Sequence, residues 1–100
     1  MYKNGKGVAQ DYKAAFKWYK LAAEQGDPPA QLNLGIMYVK GTGVIQDYVR
    51  SFMWWDLAAL QGNESAENNR SRVEKMMTSK NISIAKGLAK ECVAKDYKNC

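Results

Sequence analysis

The residue types that most often carry catalysis are sparse in this chain. There is no histidine among its 100 residues. A serine or cysteine nucleophile of the usual kind needs an imidazole to accept its proton, and most catalytic zinc sites need imidazole ligands. The two cysteines, Cys92 and Cys100, are too few for an all-thiolate structural zinc site, which takes four. We therefore predict no metal site, no cofactor and no catalytic residue.

The remaining candidates for chemistry fit structural roles better. Glu64 and Glu67 are close in sequence, but no neighbouring feature would make one of them a proton donor. The segments Gly5–Gly7 and Gly41–Gly43 are only superficially like phosphate loops. A dinucleotide fingerprint has a third glycine after a strand, and a Walker loop closes on Gly-Lys-Ser/Thr. We interpret both segments as turns.

Cys92 and Cys100 leave two interpretations open. On a continuous helix their eight-residue separation spans about 12 Å, which is too far for a disulfide. If the helix ends near Lys95, the following tail can fold back and close a small ring. That bond would form in an oxidising compartment, whereas two free thiols are expected in a reducing one.

The net charge of +5 is spread along the chain. Residues 1–60 hold seven basic and five acidic residues, and residues 61–100 hold eight and five. A nucleic-acid binder usually concentrates its basic residues in one patch with stacking aromatics. Apolar stretches are too short to cross a bilayer. We therefore expect no nucleic-acid partner and no membrane insertion.

An internal repeat of 36 residues is the strongest signal in the sequence. Of the 26 positions from Gly5 to Ala30, 14 carry the same residue 36 positions later. Trp18 aligns with Trp54, and the Met1-Tyr2 pair aligns with Met37-Tyr38. A fixed period of this length is typical of stacked repeat units.

Each unit has the pattern of a helical hairpin. Asp11 and Asp47 are predicted N-caps, because each precedes a stretch with apolar residues at helical spacing. Asp27 is predicted to cap the intervening helix, with Pro28 in its first turn. No window alternates at period two, so no strand is predicted. We expect an all-α superhelix, a solenoid of stacked hairpins. Its predicted divisions are a partial first repeat (1–26), a full repeat (27–62), the first helix of a degenerate terminal repeat (63–77) and a capping helix with a tail (78–100).

These residues resemble the Sel1-like repeats, relatives of the tetratricopeptide repeat. The resemblance is strong over residues 1–67 and looser over residues 66–100. The matching segments include Gly5–Val8, Ala22–Asp27, Asn33–Tyr38, Gly41–Val44 and Trp54–Gly62. Ser51 departs from the pattern, since the first repeat has Ala15 at that position and the family favours alanine.

The resemblance implies an adaptor or scaffold that holds a partner protein or peptide on its inner, concave surface. It brings no catalytic residue, although a hydrolase acting on a cell-wall or small-molecule substrate is the alternative. The closing helix and tail also resemble those of exported bacterial relatives. This favours a periplasmic or secreted location and the Cys92–Cys100 disulfide, with a cytoplasmic location as the alternative.

The concave surface should be lined by the first helix of each hairpin, on residues rotated away from the buried Leu34 and Tyr38. Apolar residues flanked by Arg and Lys suit a peptide with acidic and hydrophobic anchors. The predicted partner-binding residues are Leu32, Ile36, Val39, Lys40, Asn68, Arg72, Lys75 and Met76.

The tryptophans and the amino-terminal edge complete the predictions. Trp18 and Trp54 are expected in the core, because a repeated position is usually structural, while Trp55 is expected to be the more exposed indole. The helix that follows Asp11 should expose part of an apolar face, because no earlier helix is visible to cover it. Self-association through that edge is therefore expected.

Overall fold

Five α-helices make up the part of the chain that the computed structural model describes, residues 11–100. They are α1 (Tyr12–Ala23), α2 (Pro28–Lys40), α3 (Tyr48–Leu60), α4 (Glu64–Glu74) and α5 (Ser79–Ala94). No strand occurs within residues 11–100. The predicted all-α solenoid is confirmed. The Gly5–Gly7 turn and the Met1-Tyr2 pair lie outside the described residues.

The helices pack in sequence order, as expected for stacked hairpins. Helix α2 lies between α1 and α3, and α3 contacts α2, α4 and α5. This arrangement makes α3 the central helix of the described chain. It carries most of the large buried side chains, among them Trp54, Phe52, Met53 and Leu57.

Polar caps begin most of these helices. Asp27 accepts a hydrogen bond from the Ala30 backbone N–H at 3.1 Å, and Asp47 accepts one from the Arg50 N–H at 3.1 Å. Both satisfy amides that a helix cannot pair internally. Asp11 also stands at the N-cap position, but its side chain makes no capping hydrogen bond. The expectation of equivalent caps at Asp11 and Asp47 is therefore wrong for Asp11.

Buried polar side chains tie the helix ends together. Gln31 is fully buried, and its Nε2 donates to the Ala23 carbonyl at 3.2 Å. The Gln61 Nε2 donates to the Gln31 Oε1 at 3.0 Å. The side-chain amide of Gln31 thus joins the carboxyl ends of α1 and α3 to the start of α2.

Burial raises the pKa of the Tyr38 phenol, and the positive charge of Arg50 opposes the shift.

The predicted roles of the tryptophans are partly wrong. Trp54 is completely buried, as expected, but its repeat partner Trp18 is 71 % exposed. Trp55, expected to be the exposed indole, is only 4 % exposed. Trp54 packs in a cluster with residues of α2 and α5, including Leu34 and Ala89. Within residues 11–100 Trp18 belongs to neither core cluster, so repetition of a residue does not guarantee equal burial.

The end of α5 allows the tail to turn back. The helix ends at Ala94, and residues 95–100, which we call the tail, fold back so that Cys92 and Cys100 form a disulfide with Cα atoms 5.6 Å apart. Of the two interpretations that the sequence left open, the structure has the closed ring.

No helix within residues 11–100 has both the length and the apolar character needed to traverse a bilayer.

Candidate functional site

A groove of about 320 Å³ opens between α2 and α4, with α3 beneath it. We call it the α2–α4 groove. Its walls combine apolar side chains with two cationic ones. The lining residues are Ile36, Val39, Lys40, Trp55, Asn69, Arg72, Val73 and Met76.

Trp55 forms the floor of the groove and is held rigidly. Its indole N–H donates to the Leu32 carbonyl at 3.0 Å. The ring sits directly against Gly35, where any Cβ would overlap the indole nitrogen. Only glycine allows the backbone of α2 to approach this closely, so the sequence pairs a large residue on α3 with the smallest residue on α2.

Ser51 strengthens the same contact one turn earlier on α3. The side chain is fully buried, and its hydroxyl donates to the Gly35 carbonyl at 2.7 Å. This is the position at which the first repeat has Ala15. Ser51 therefore adds a hydrogen bond between α2 and α3 beneath the groove.

The polar rim of the groove is cationic. Lys40, at the end of α2, and Arg72, on α4, stand on opposite walls, and both are exposed. No acidic side chain lines the groove. The ion pair of Arg70 with Asp56 joins α4 to α3, and neither residue is part of the lining. The cationic rim can therefore attract carboxylates of a partner.

The groove contains five of the eight residues predicted to face a partner: Ile36, Val39, Lys40, Arg72 and Met76. Leu32 instead packs against the core cluster around Trp55, and its carbonyl accepts the indole hydrogen bond. Asn68 and Lys75 are exposed and are not among the residues that line the groove.

Sequence reasoning missed three lining residues, Trp55, Asn69 and Val73. Asn69 and Val73 lie at helical spacing from Ala66, on the stripe of α4 whose residues Ala66 and Val73 are buried. The stripe was a usable signal for Asn69, because a polar residue on an apolar stripe marks its edge. For Trp55, no feature of the neighbouring sequence indicated whether the indole is buried beneath a groove or exposed to solvent.

A second concavity of about 280 Å³ adjoins the groove on the side of α1. It is lined by Tyr12, Ala15 and Tyr19 of α1, by Ile36, Met37 and Lys40 of α2, and by Thr42. Ile36 and Lys40 belong to both concavities, so one continuous surface runs from α4 across α2 to α1.

Metal-binding clusters of three or more His, Cys, Asp or Glu residues do not occur within residues 11–100.

Comparison with known proteins identifies the family of this chain. The Sel1 repeat family model matches residues 1–27 and 28–63. The chain belongs to the Sel1 repeat family. Its described helices α1, α2 and α3 fall within the two matched units. No curated protein sequence gives a match.

A solved structure is similar over nearly the whole chain. It is the crystal structure of c5321, a protective antigen present in uropathogenic Escherichia coli strains and displaying an SLR fold. The TM-score is 0.84 at 35% sequence identity, and the match covers 94% of this chain. The chain spans about a fifth of the length of that protein, since 21% of the latter is covered.

Sel1 repeat folds are generally protein-interaction scaffolds and typically non-enzymatic. Neither the comparisons nor the described residues indicate the hydrolase activity considered as the alternative.

Proposed function

We propose that this Sel1 repeat domain is a scaffold that binds a partner protein or peptide in the α2–α4 groove. The observation that carries the proposal is the rigid apolar floor formed by Trp55 within a cationic rim. Arg, present here as the exposed Arg72, is one of the residue types that most often dominate binding energy at protein interfaces.

Pre-organisation of the floor supports the proposal. The indole of Trp55 is fixed by the Leu32 carbonyl and by contact with Gly35 before any partner arrives. Binding to a fixed surface avoids the entropic cost of ordering side chains at the interface. Met76, 58 % exposed at the edge of the groove, adds a flexible side chain that can adapt to the shape of a partner.

The charge of the rim defines the partner chemistry. Lys40 and Arg72 flank the apolar floor from opposite walls. A partner segment with an apolar residue over Trp55 and acidic residues on both sides would match this pattern. We therefore propose a partner with acidic and apolar anchors.

Charge reversal at Arg72 tests the proposal. Wild-type protein, Arg72→Glu and Lys75→Glu are immobilised, and retention of proteins from an extract of the source cells is quantified. Lys75 is the matched control, because it is a nearby exposed cation outside the groove lining. We expect a set of proteins held by the wild type and Lys75→Glu but lost from Arg72→Glu. Equal retention by all three proteins would contradict the groove assignment.

We also propose self-association through α1, with a second copy of this chain as the occupant. Trp18 and Leu21 lie one helical turn apart on α1, and both are more than half exposed. Burial of this exposed apolar pair against a second copy would remove apolar surface from water. Sedimentation of the wild type over a range of concentrations, with Trp18→Glu beside it, tests this.

The control for self-association is Ile45→Glu, which removes an exposed apolar residue elsewhere. We expect Trp18→Glu to abolish a concentration-dependent dimer and Ile45→Glu to leave it intact. A wild-type protein that stays monomeric at all concentrations would contradict the proposal.

A periplasmic or secreted location is proposed as well, supported by the Cys92–Cys100 disulfide. Bonds of this kind persist in oxidising compartments and are rare in the cytosol. Iodoacetamide labelling of protein taken directly from the source cells, without reductant, checks it. We expect most of the protein to carry no labelled thiol, and two labelled thiols on most of the protein would contradict an oxidising location.

A further inference from the structure

The tail covers the junction between the end of α1 and the start of α3. The Lys98 Nζ donates to the Glu24 carbonyl at 2.9 Å, beside the α1–α2 turn. The Tyr97 ring lies against Gly26, where an added Cβ would stand 3.3 Å from the ring. The Arg50 Nη1, on α3, donates to the Cys100 carbonyl at 2.9 Å.

These contacts are weak for a segment in so unusual a conformation. Asp96, Tyr97 and Asn99 have φ angles of 56°, 66° and 57°, the left-handed region that non-glycine residues rarely adopt. The hydrogen bond from Lys98 lies at the exposed surface, where water competes with it. Tyr97 and Cys100 also pack against the core cluster around Trp54, and the Cys92–Cys100 disulfide is the covalent link that holds the tail in this disfavoured conformation.

We propose that Cys92–Cys100 is a thiol–disulfide exchange site that latches the tail. Reduction releases the tail while the five helices stay folded. We expect the five helices to stay folded without the latch, because α5 ends at Ala94 and its buried residues Ala85 and Ala89 lie in the core clusters that also contain residues of α3.

A dithiol is the reductant in the proposed exchange. A thiolate of the dithiol attacks the Cys100 sulfur, which is the more accessible of the two because Cys92 is only 1 % exposed. The Cys92–Cys100 bond breaks, the Cys92 thiolate leaves and takes a proton, and a mixed disulfide forms at Cys100. The second thiol of the dithiol displaces Cys100 as a thiolate, which is also protonated. Two electrons pass to the protein's cystine, and the dithiol becomes a disulfide.

Release of the tail uncovers a surface distinct from the α2–α4 groove. A cavity of about 200 Å³ lies beside the disulfide, lined by Arg50, Met53, Leu88, Glu91 and Lys95 together with Asn99 and the two cysteines. None of these residues lines the groove. The oxidation state therefore decides whether Arg50 and the adjoining turn at Gly26 are covered.

Hydrogen exchange followed by mass spectrometry tests the latch on the full chain, oxidised and after treatment with dithiothreitol. The tail amides of Tyr97 and Lys98 donate to the carbonyls of Cys92 and Lys95 in the latched state. We expect their exchange to accelerate about tenfold or more on reduction, while amides of α2 and α3 change less than about twofold.

Cys100→Ser supplies the matched variant, since it lacks the bond whatever the redox state. We expect its tail to exchange as fast as that of the reduced wild type, with no further response to dithiothreitol. Unchanged protection of the tail after reduction would overturn the proposal, because the contacts alone would then hold it. Loss of protection throughout α2 and α3 would also overturn it, because the bond would then hold the whole domain together.

Discussion

Helices α1 and α3 have closely related sequences 36 residues apart, but their surroundings differ. Leu21 of α1 is 54 % exposed, and its counterpart Leu57 is 1 % exposed. The same contrast separates Trp18 from Trp54. Helix α3 contacts α2, α4 and α5, whereas the extensive helix contact of α1 within the described residues is with α2. In a repeat array, neighbouring helices rather than residue type alone decide which copy of a side chain is buried.

Truncation of the repeated tryptophan should show the largest difference in stability loss between α3 and α1. Trp54→Ala empties a fully buried position and should lower the free energy of unfolding by about 4 kcal/mol. Trp18→Ala removes a largely exposed ring and should change it by less than about 0.5 kcal/mol. Urea unfolding followed by circular dichroism measures both values.

Trp54→Phe keeps this prediction testable if the alanine variant does not fold. It retains an aromatic ring and removes an indole N–H that has no hydrogen-bond partner within the described residues. Trp54→Phe should therefore lower the free energy of unfolding by much less than Trp54→Ala does. Similar losses from Trp54→Ala and Trp18→Ala would show that α1 is covered in solution.

A methyl group at Gly35 should have the next largest effect. Gly35→Ala places a Cβ into the Trp55 indole and should cost about 3 kcal/mol. Gly87→Ala is the matched control in α5, because an added Cβ there meets nothing within 4 Å. It should stabilise by about 0.5–1 kcal/mol, as alanine is the better helix former. A neutral Gly35→Ala would mean that Trp55 is not seated against α2.

Removal of the N-cap residues of α1 and α3 should lower the free energy of unfolding by different, smaller amounts. Asp47→Ala removes an observed bond to the Arg50 amide and should cost about 1 kcal/mol. Asp11→Ala removes no capping bond and should cost less than about 0.5 kcal/mol. Thermal unfolding of the two variants side by side is sufficient. Equal losses would indicate that Asp11 caps α1 in solution.

The smallest expected difference lies at the position where the repeats carry Ser51 and Ala15. Ser51→Ala removes the bond to the Gly35 carbonyl, with an expected loss of about 0.5 kcal/mol. Ala15→Ser places a hydroxyl in a half-buried site of α1 and should be close to neutral. Chemical unfolding of both variants checks the pair, and a stabilising Ser51→Ala would contradict a structural role for the hydroxyl.

Local sequence rules predicted most of the fold. Asp27 before Pro28, and Asp47 36 residues after Asp11, identified helix starts because capping depends on a few adjacent atoms. The repeat then fixed the hairpin architecture, which is confirmed. The same local rule failed at Asp11, where the capping residue is present but the hydrogen bond is not.

The groove depends on contacts between helices, and these were less accessible to sequence reasoning. The predicted partner-binding residue Asn68 lies one position from the lining residue Asn69, and one position rotates a side chain by about 100° on a helix. The burial of Trp55 required the pairing of that residue with Gly35, 20 positions earlier on another helix. No periodicity within α3 carries that information.

The central claim is that the partner contacts the α2–α4 groove, and site-specific photo-crosslinking in the source cells tests it most directly. A photoreactive residue replaces Asn69, which lines the groove, or Asn68, the adjacent exposed position outside it. We predict a protein adduct from position 69 that is absent from position 68. An adduct from position 68 alone, or equal adducts from both positions, would contradict the account.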